Sequence, residues 1–210
     1  NTEELDLTDL WILSKLNTTI DNADKAYESY KMNDAVKTVY DFVYSDFCDW
    51  YIEFSKARLY GKDEKDRNTA LKISVICIRT ILKLLHPYTP YITEELWTYF
   101  SLKDEDMLIN ESWPNMNPKL INEKNESNLD LIKRTISSIR NIRAEMNISP
   151  GKEIDIIIKS PTQDSVFSNL KHYICRLAKI NNITINKNAS KPEQSASIVI
   201  DNNEIFIPLS

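Results

Sequence analysis

Phe47-Cys48-Asp49-Trp50-Tyr51-Ile52-Glu53 and Leu85-His86-Pro87-Tyr88-Thr89-Pro90-Tyr91-Ile92-Thr93-Glu94-Glu95-Leu96-Trp97 are the two stretches from which the fold of this 210-residue chain is read. The first lies in a run where apolar residues recur every three or four positions: Val36, Val39/Tyr40, Val43, Phe47, Trp50/Tyr51, Phe54. That spacing predicts one helix from a cap at Asn33 to a stop at Gly61, roughly 40 Å long at about 1.5 Å per residue. The second stretch ends one helix and starts another. A residue before proline resists helical geometry, so His86-Pro87 closes the earlier helix. Thr89-Pro90 then caps and opens a short helix through Phe100, with Glu94 and Glu95 in the early turns that the helix dipole favours.

Outward from these stretches, Thr8 is expected to cap a first helix running to Ala26, with Leu10, Ile12, Leu13, Leu16 and Ile20 on its apolar face. After the charged loop Lys62–Arg67, a third helix carries Leu71, Val75, Ile78, Leu82 and Leu85 on one face. Ile73, Ile76, Cys77, Ile81 and Leu84 form its second face, the pattern of a helix central in its bundle. Lys103 to Asn128 reads as a long polar loop bearing Trp113-Pro114 and Pro118, before a fifth helix from Leu129 to Met146. Pro150-Gly151 breaks the pattern. Beyond it Ile154, Ile156 and Ile158 alternate as a strand, and Val166 to Leu177 has helical spacing. Short strands are expected at Ile183/Ile185, Ser197–Ile200 and Glu204–Pro208. The expected fold is mainly α: a helical bundle, residues 1–149, followed by a small α+β module, residues 150–210.

Composition narrows the function. With 42% hydrophobic and 27% charged residues the chain is an ordinary globular one. No run of eighteen apolar residues is present, so no membrane span is expected, and the first residues lack the pattern of a signal peptide. The chain begins with Asn1 and reads as a piece cut from something longer. Cys48, Cys77 and Cys175 are odd in number and far apart, which argues against a zinc site and for buried thiols in a reducing cytoplasm. Only Gly61 and Gly151 are available, too few for a phosphate-cradling loop.

A net charge of −5 and a pI near 5.2 count against a general nucleic-acid binder. The charge is uneven, however. Residues 1–24 hold Glu3, Glu4, Asp6, Asp9, Asp21 and Asp24 against Lys15, whereas Lys133, Arg134, Arg140, Arg143 and Lys152 stand against Glu145 alone. A local basic stripe on an acidic chain suits a specific, restricted contact. Arg140 and Lys133, seven apart, are candidate contacts to RNA phosphate. Arg143 falls where the stripe Ile132, Ile136, Ile139 would continue, so it must leave the core by its stem or meet a carboxylate, with Asp49, Glu94 and Glu95 as the expected partners. Asp46, Asp49 and Glu53 share one helix face, read as solvated or ion-paired rather than as a metal site. His86 suits a helix end, and His172 has no evident partner. No catalytic or metal-binding residue is assigned. Phe47, Trp50 and Phe54 are expected in the core, while one outward apolar or aromatic residue of this cluster could support an unstacked base.

In order and spacing, these stretches followed by Trp113-Pro114 resemble the anticodon-binding region of class I aminoacyl-tRNA synthetases, the valyl branch most closely. Thr8-Asp9-Leu10-Trp11-Ile12-Leu13-Ser14-Lys15-Leu16 looks like the helix that opens this region. Ile139-Arg140-Asn141-Ile142-Arg143-Ala144-Glu145-Met146 with Pro150-Gly151-Lys152 is similar to its later Ile-Arg-rich helix and break. The Pro-to-Glu-Glu-Leu-Trp segment is shared with isoleucyl and leucyl enzymes, whereas Phe-Cys-Asp-Trp-Tyr favours the valyl branch. The resemblance implies a monomeric piece that binds the anticodon stem-loop of valine tRNA. It implies too an ATP-dependent ligase whose catalytic and editing domains lie upstream, so that no cofactor belongs to this piece. The His-Ile-Gly-His and Lys-Met-Ser-Lys-Ser catalytic signatures of the family do not occur in the chain.

Ile52 matches the apolar position that touches the anticodon loop in the family, giving Ile52, Lys133, Arg140 and Arg143 as the candidate tRNA-binding residues. Leu10 stands where the family commonly has an arginine. The chain ends at Ile205-Phe206-Ile207-Pro208-Leu209, where the family usually continues into a coiled-coil arm, so the piece reads as trimmed at both ends. Two alternatives stay open from the residues themselves: the corresponding domain of an isoleucyl or leucyl enzyme, or a helical protein-interaction module whose basic stripe is a solvated face.

Overall fold

A computed structural model describes residues 5–101 and 107–208. Part of the expected polar loop (residues 102–106), Glu3 and Glu4 of the acidic start, and the terminal Leu209 lie outside them. The chain divides into two compact units, Asn1–Glu126 and Ser127–Ser210.

The first unit is helical. Helix α1 spans Leu7–Glu28 and is capped by Asp6, not by Thr8. The Asp6 carboxylate accepts from the Thr8 backbone N–H at 2.8 Å while the Asp9 carboxylate accepts from the Asp6 N–H at 3.2 Å. This reciprocal pair satisfies two amides that a Thr8 cap would leave open. At the other end Tyr30 adopts φ 57°, with Tyr30 N–H donating to Tyr27 and Lys31 N–H to Ala26, a Schellman turn. A side chain in the left-handed region is strained, and Tyr30 is 87% exposed. Tyr30→Gly is therefore expected to raise the stability of this unit by about 0.5–1 kcal/mol, read as a shift in the urea midpoint at unchanged slope.

The long second helix exists, but its interior is not α-helical throughout. Helix α2 (Met32–Asp41) leads into a π-helical segment, Phe42–Tyr51, and on into α3 (Ile52–Leu59). The start is at Met32 after Lys31, without the side-chain cap expected from Asn33. The wider turns change which residues face inward. Ala35, Val39 and Phe42 are buried, and the next buried residue is Phe47, five positions on, followed by Tyr51 and Phe54. Of the residues expected inside, Val39, Phe47, Tyr51 and Phe54 are buried, Val36 and Val43 are half-buried, and Tyr40 is 54% exposed. Gly61 follows α3 because a Cβ there would sit 2.8 Å from the Ala57 carbonyl oxygen.

Helix α4 (Glu64–Leu85) is capped by Asp63, whose carboxylate accepts from the Lys65 and Asp66 amides. It buries Ala70, Ile73, Cys77, Ile81, Leu82 and Leu84, while Leu71 and Ile76 of the two expected faces lie exposed. Helix α5 (Pro90–Trp97) buries Trp97 against Leu82 and Leu108. The stretch read as a loop is punctuated by two 3₁₀ turns, Leu108–Asn110 and Pro118–Leu120, and ends six residues early, because α6 starts at Glu123 and runs to Glu145.

The first turn of α6 belongs to the first unit, where Glu126 accepts from the Ser14 hydroxyl and faces Lys15 at 3.7 Å. The remainder of α6 belongs to the second unit, and its Leu129, Leu131, Ile132, Ile136 and Ile139 are buried. A second Schellman turn, with Asn147 at φ 53°, ends it.

Strand β1 (Ile154–Lys159) follows, then α7 (Asp164–Asn169) and α8 (Lys171–Ala178), then β2 (Ile180–Asn186), β3 (Ser195–Ile200) and β4 (Asn203–Pro208). The sheet order is β2-β1-β4-β3. β1 and β2 are parallel, with Ile157 opposite Thr184, a pairing that needs the crossover supplied by α7 and α8. β1 and β4 are antiparallel, with Ile158 opposite Ile205, and β3 closes the sheet antiparallel to β4. Ile156, Ile158 and Ile183 alternate inward on the face covered by Phe167, Leu170, Tyr173 and Ile174.

Candidate nucleic-acid interface

In the first unit the signature stretch Phe47–Glu53 is positioned from inside. Tyr51 is fully buried and its hydroxyl donates to the Asp9 carboxylate at 2.8 Å; the Arg58 guanidinium donates to the same oxygen at 2.8 Å and to Asp66 at 2.6 Å. Asp9 is fully buried as well, so α1, the π segment, α3 and α4 are tied at one charged point. Burial alone would lower the Arg58 pKa, but the hydrogen bonds and charges of Asp9 and Asp66 outweigh it and raise it. Burial, reinforced by Asp9, raises that of Tyr51. Both groups keep their charge state across the physiological range. By sequence Asp9 is only one of the acids of residues 1–24; its partners, 42 and 49 residues away, carry no local mark.

Ile52 stands where the π segment gives way to α3, and its own N–H closes the last wide turn on the Phe47 carbonyl. It is half-buried, presenting part of an apolar side chain beside the rigid Tyr51. Phe47 and Phe54 are in the core as expected, whereas Trp50 is only half-buried, its ring 5.5 Å from that of Phe54 and tilted to it, and Cys48 is exposed rather than buried. In the acidic row, Asp46 lies 4.0 Å from Lys15 and Glu53 pairs with Lys56. Among the described residues no group of three His, Cys, Asp or Glu could hold a metal ion.

The proline segment is held by its own side chains. His86 Nδ1 and the Thr93 hydroxyl are 2.8 Å apart, and the Glu94 carboxylate accepts from the Leu108 and Ile109 amides at 2.9 Å each. Trp113 donates its indole N–H to Asp24 at 2.6 Å and meets Tyr27 edge-on at 5.3 Å, which explains the Trp-Pro pair in a polar loop.

Lys133, Arg140 and Arg143 belong to the second unit and Ile52 to the first. Lys133 is largely enclosed and pairs with Asp130 at 3.3 Å. Arg140 is exposed, its Nε donating to the Leu177 carbonyl at 2.9 Å. Arg143 is buried, and it does not meet Asp49, Glu94 or Glu95. Its guanidinium donates to the carbonyls of Ser149 and Lys152, at 3.1 and 2.6 Å, and of Lys179 at 3.1 Å. The charge is balanced by carbonyl dipoles at the end of α6, where a cation is favoured, not by a carboxylate. The two arginines thus converge on the C-terminal end of α8.

No helix among the described residues is long and apolar enough to cross a membrane. Over residues 9–158 the sequence matches the family described as the anticodon-binding domain of tRNA ligase. It is 36% identical over 210 residues to a valine–tRNA ligase of Thermosynechococcus vestitus, covering 99% of this chain and 23% of that protein. It is 36% identical over 209 residues to the valine–tRNA ligase of Clostridium perfringens and 34% over 215 residues to that of Geobacillus stearothermophilus, with 99% of this chain and 24% of each relative covered. The chain spans about a quarter of the length of these relatives. The match carries both signature stretches and favours the valyl reading over the isoleucyl and leucyl alternatives and over a helical interaction module; the chain belongs to the family of tRNA-ligase anticodon-binding domains.

Proposed function

We propose that this chain holds the anticodon stem-loop of a valine tRNA and works as part of a longer, monomeric, cytoplasmic valine–tRNA ligase. In that protein an upstream catalytic domain would join valine to the tRNA with ATP, and an editing domain would remove errors. The observation that carries the reading is the alignment of 99% of the chain with valine–tRNA ligases. ATP would be bound upstream: the two glycines here form no cradle, and Gly61 is pressed against its own helix end. On this reading residues 1–149 supply the RNA contact and residues 150–210 act as an accessory module. Ile52 offers an apolar ledge to a base of the loop, Arg140 a phosphate contact, and Lys133 a second one, weakened because Asp130 competes for its ammonium. Arg143 serves the interface by holding the turn after α6 and the end of α8, the helix end on which Arg140 also rests.

The test is a low-salt titration of the chain with valine tRNA and with the same tRNA carrying a swapped anticodon. Tighter binding to the native anticodon is expected. Ile52→Ser should lower that preference about five-fold, the equivalent of ~1 kcal/mol. Arg140→Ala should weaken both complexes alike and reduce the salt slope by about 1. Equal binding of both tRNAs by the unaltered chain would move anticodon recognition outside these 210 residues.

A further inference from the structure

The charge of the two units is opposite. Before Ser127 there are fifteen Lys and Arg against twenty-three Asp and Glu; from Ser127 onward there are eleven against eight. The excess of the second unit is gathered around α8. A groove of about 580 Å³ is lined by Lys171, His172 and Arg176 with Glu153, Ser168 and Cys175. Lys171 is held by one donated hydrogen bond to the Ile183 carbonyl at 2.8 Å, and an ammonium has two further donors. The Arg176 guanidinium lies over the Tyr173 ring, 5.7 Å from its centroid, and His172 packs on the same ring at 3.9 Å. Three cationic or ionisable side chains are thus carried by one helix, two of them on an aromatic support.

The rim adds to them. Lys179, exposed and in the left-handed conformation at φ 55°, ends α8, and Arg143 binds its carbonyl together with that of Lys152. Arg140 reaches the same helix end through Leu177. Among the described residues the carboxylate that lines the groove is that of Glu153; Asp155 is engaged by Asn181 and Asn182. We propose that this groove, with Arg140, Lys152 and Lys179 at its rim, is a second RNA contact that takes the phosphate backbone of the bound tRNA without reading its bases. Most of its residues lie beyond residue 158, where the family match ends, so the site belongs to the accessory module. The proposal rests on the tRNA-binding reading above. Phosphate is favoured over an acidic protein partner because the exposed Arg140 hydrogen-bonds the end of the same helix, α8, that lines the groove. Ammonium and guanidinium groups spaced along a helix also match a repeating charge better than a single carboxylate.

The experiment titrates the full 210-residue chain and its Arg176→Gln/Lys179→Asn variant with valine tRNA and with the anticodon-swapped tRNA across a salt series. Asn tolerates the left-handed position, and thermal unfolding of the variant should match that of the original chain. Loss of two phosphate contacts is expected to reduce the slope of log affinity against log salt by about 1.4–1.8 and to weaken both tRNAs by the same factor. An unchanged slope in a variant of normal stability overturns this inference while leaving the anticodon reading intact. A loss confined to the native anticodon overturns it too, because phosphate carries no sequence. Absence of any tRNA binding by the original chain overturns both.

Discussion

Asp9→Ala is expected to destabilise the helical unit by about 3–5 kcal/mol, the usual cost of stranding one member of a buried ion pair. Removing that carboxylate leaves the Tyr51 hydroxyl without its acceptor and the Arg58 guanidinium with Asp66 alone, at the far side of the helix. Tyr51→Phe removes one hydrogen bond to a charged group and should cost about 1.5–3 kcal/mol, so the two variants rank the ion pair above the hydroxyl. Urea unfolding followed by far-UV circular dichroism measures both. A loss below about 1 kcal/mol for Asp9→Ala would mean that water reaches Arg58 and that the tie is not a dry one. The same variant should shift Ile52, since Tyr51 precedes it and is anchored to Asp9. Lost anticodon preference is therefore expected alongside lost stability.

Trp97→Ala is expected to cost about 3–5 kcal/mol in the same unfolding measurement. Trp97 is fully buried with Leu82 and Leu108, flanked by the half-buried Ile78 and Phe100. The Arg79 guanidinium stands 4.6 Å from its ring centroid and donates to the Phe100 carbonyl at 3.1 Å. Lys83 approaches the ring from 5.7 Å. Truncation would empty the site and take the aromatic support from two cations, a term of roughly 0.5–2 kcal/mol per pair in its own right. Trp97→Phe keeps most of the volume and should cost under half as much. Equal losses for the two variants would place the energy in the indole's edge contacts rather than in filled space. Hydrogen exchange should accelerate first at Leu108 and Ile109, whose amides are held by Glu94 on the same helix.

What the sequence made legible follows from how local each signal is. The helices around Trp11, Phe54 and Ile81 could be read because one apolar face repeats over several turns, and the strand at Ile154, Ile156 and Ile158 because alternation has no helical explanation. The Asn147 turn was visible only as a Pro-Gly break three residues later. Tyr40 faces out and Val36 and Val43 are only half-buried because a wide helical turn shifts the inward face and carries no composition of its own; Phe42 and Phe47 look like ordinary core residues in either register. Arg143 was correctly seen as an interruption of the Ile132–Ile139 stripe, but backbone carbonyls are the same in every residue, and no sequence marks which three will converge on a guanidinium. Of the candidate interface, Ile52 was legible through resemblance and Arg140 through charge. The α8 groove was not, because Lys171, His172 and Arg176 are unremarkable until the crossover sets them beside Glu153 and Ile180.

The π segment from Phe42 to Tyr51 works as a vernier between two halves of one rod. Ala35 and Val39 set the angle of the first half against α1, and Tyr51 and Arg58 set the second, with the ten residues between absorbing the mismatch. Removing a single residue there while the wide turns persisted would swing every position downstream by about 100° around the axis, carrying Tyr51 and Arg58 off Asp9 and turning Ile52 toward a different quarter of the surface; only a return of the whole segment to ordinary winding would cancel that swing. The length of this stretch is thus under a stricter constraint than its composition: substitutions within it are repacking problems, whereas an insertion or deletion rewrites the outward face of the rod.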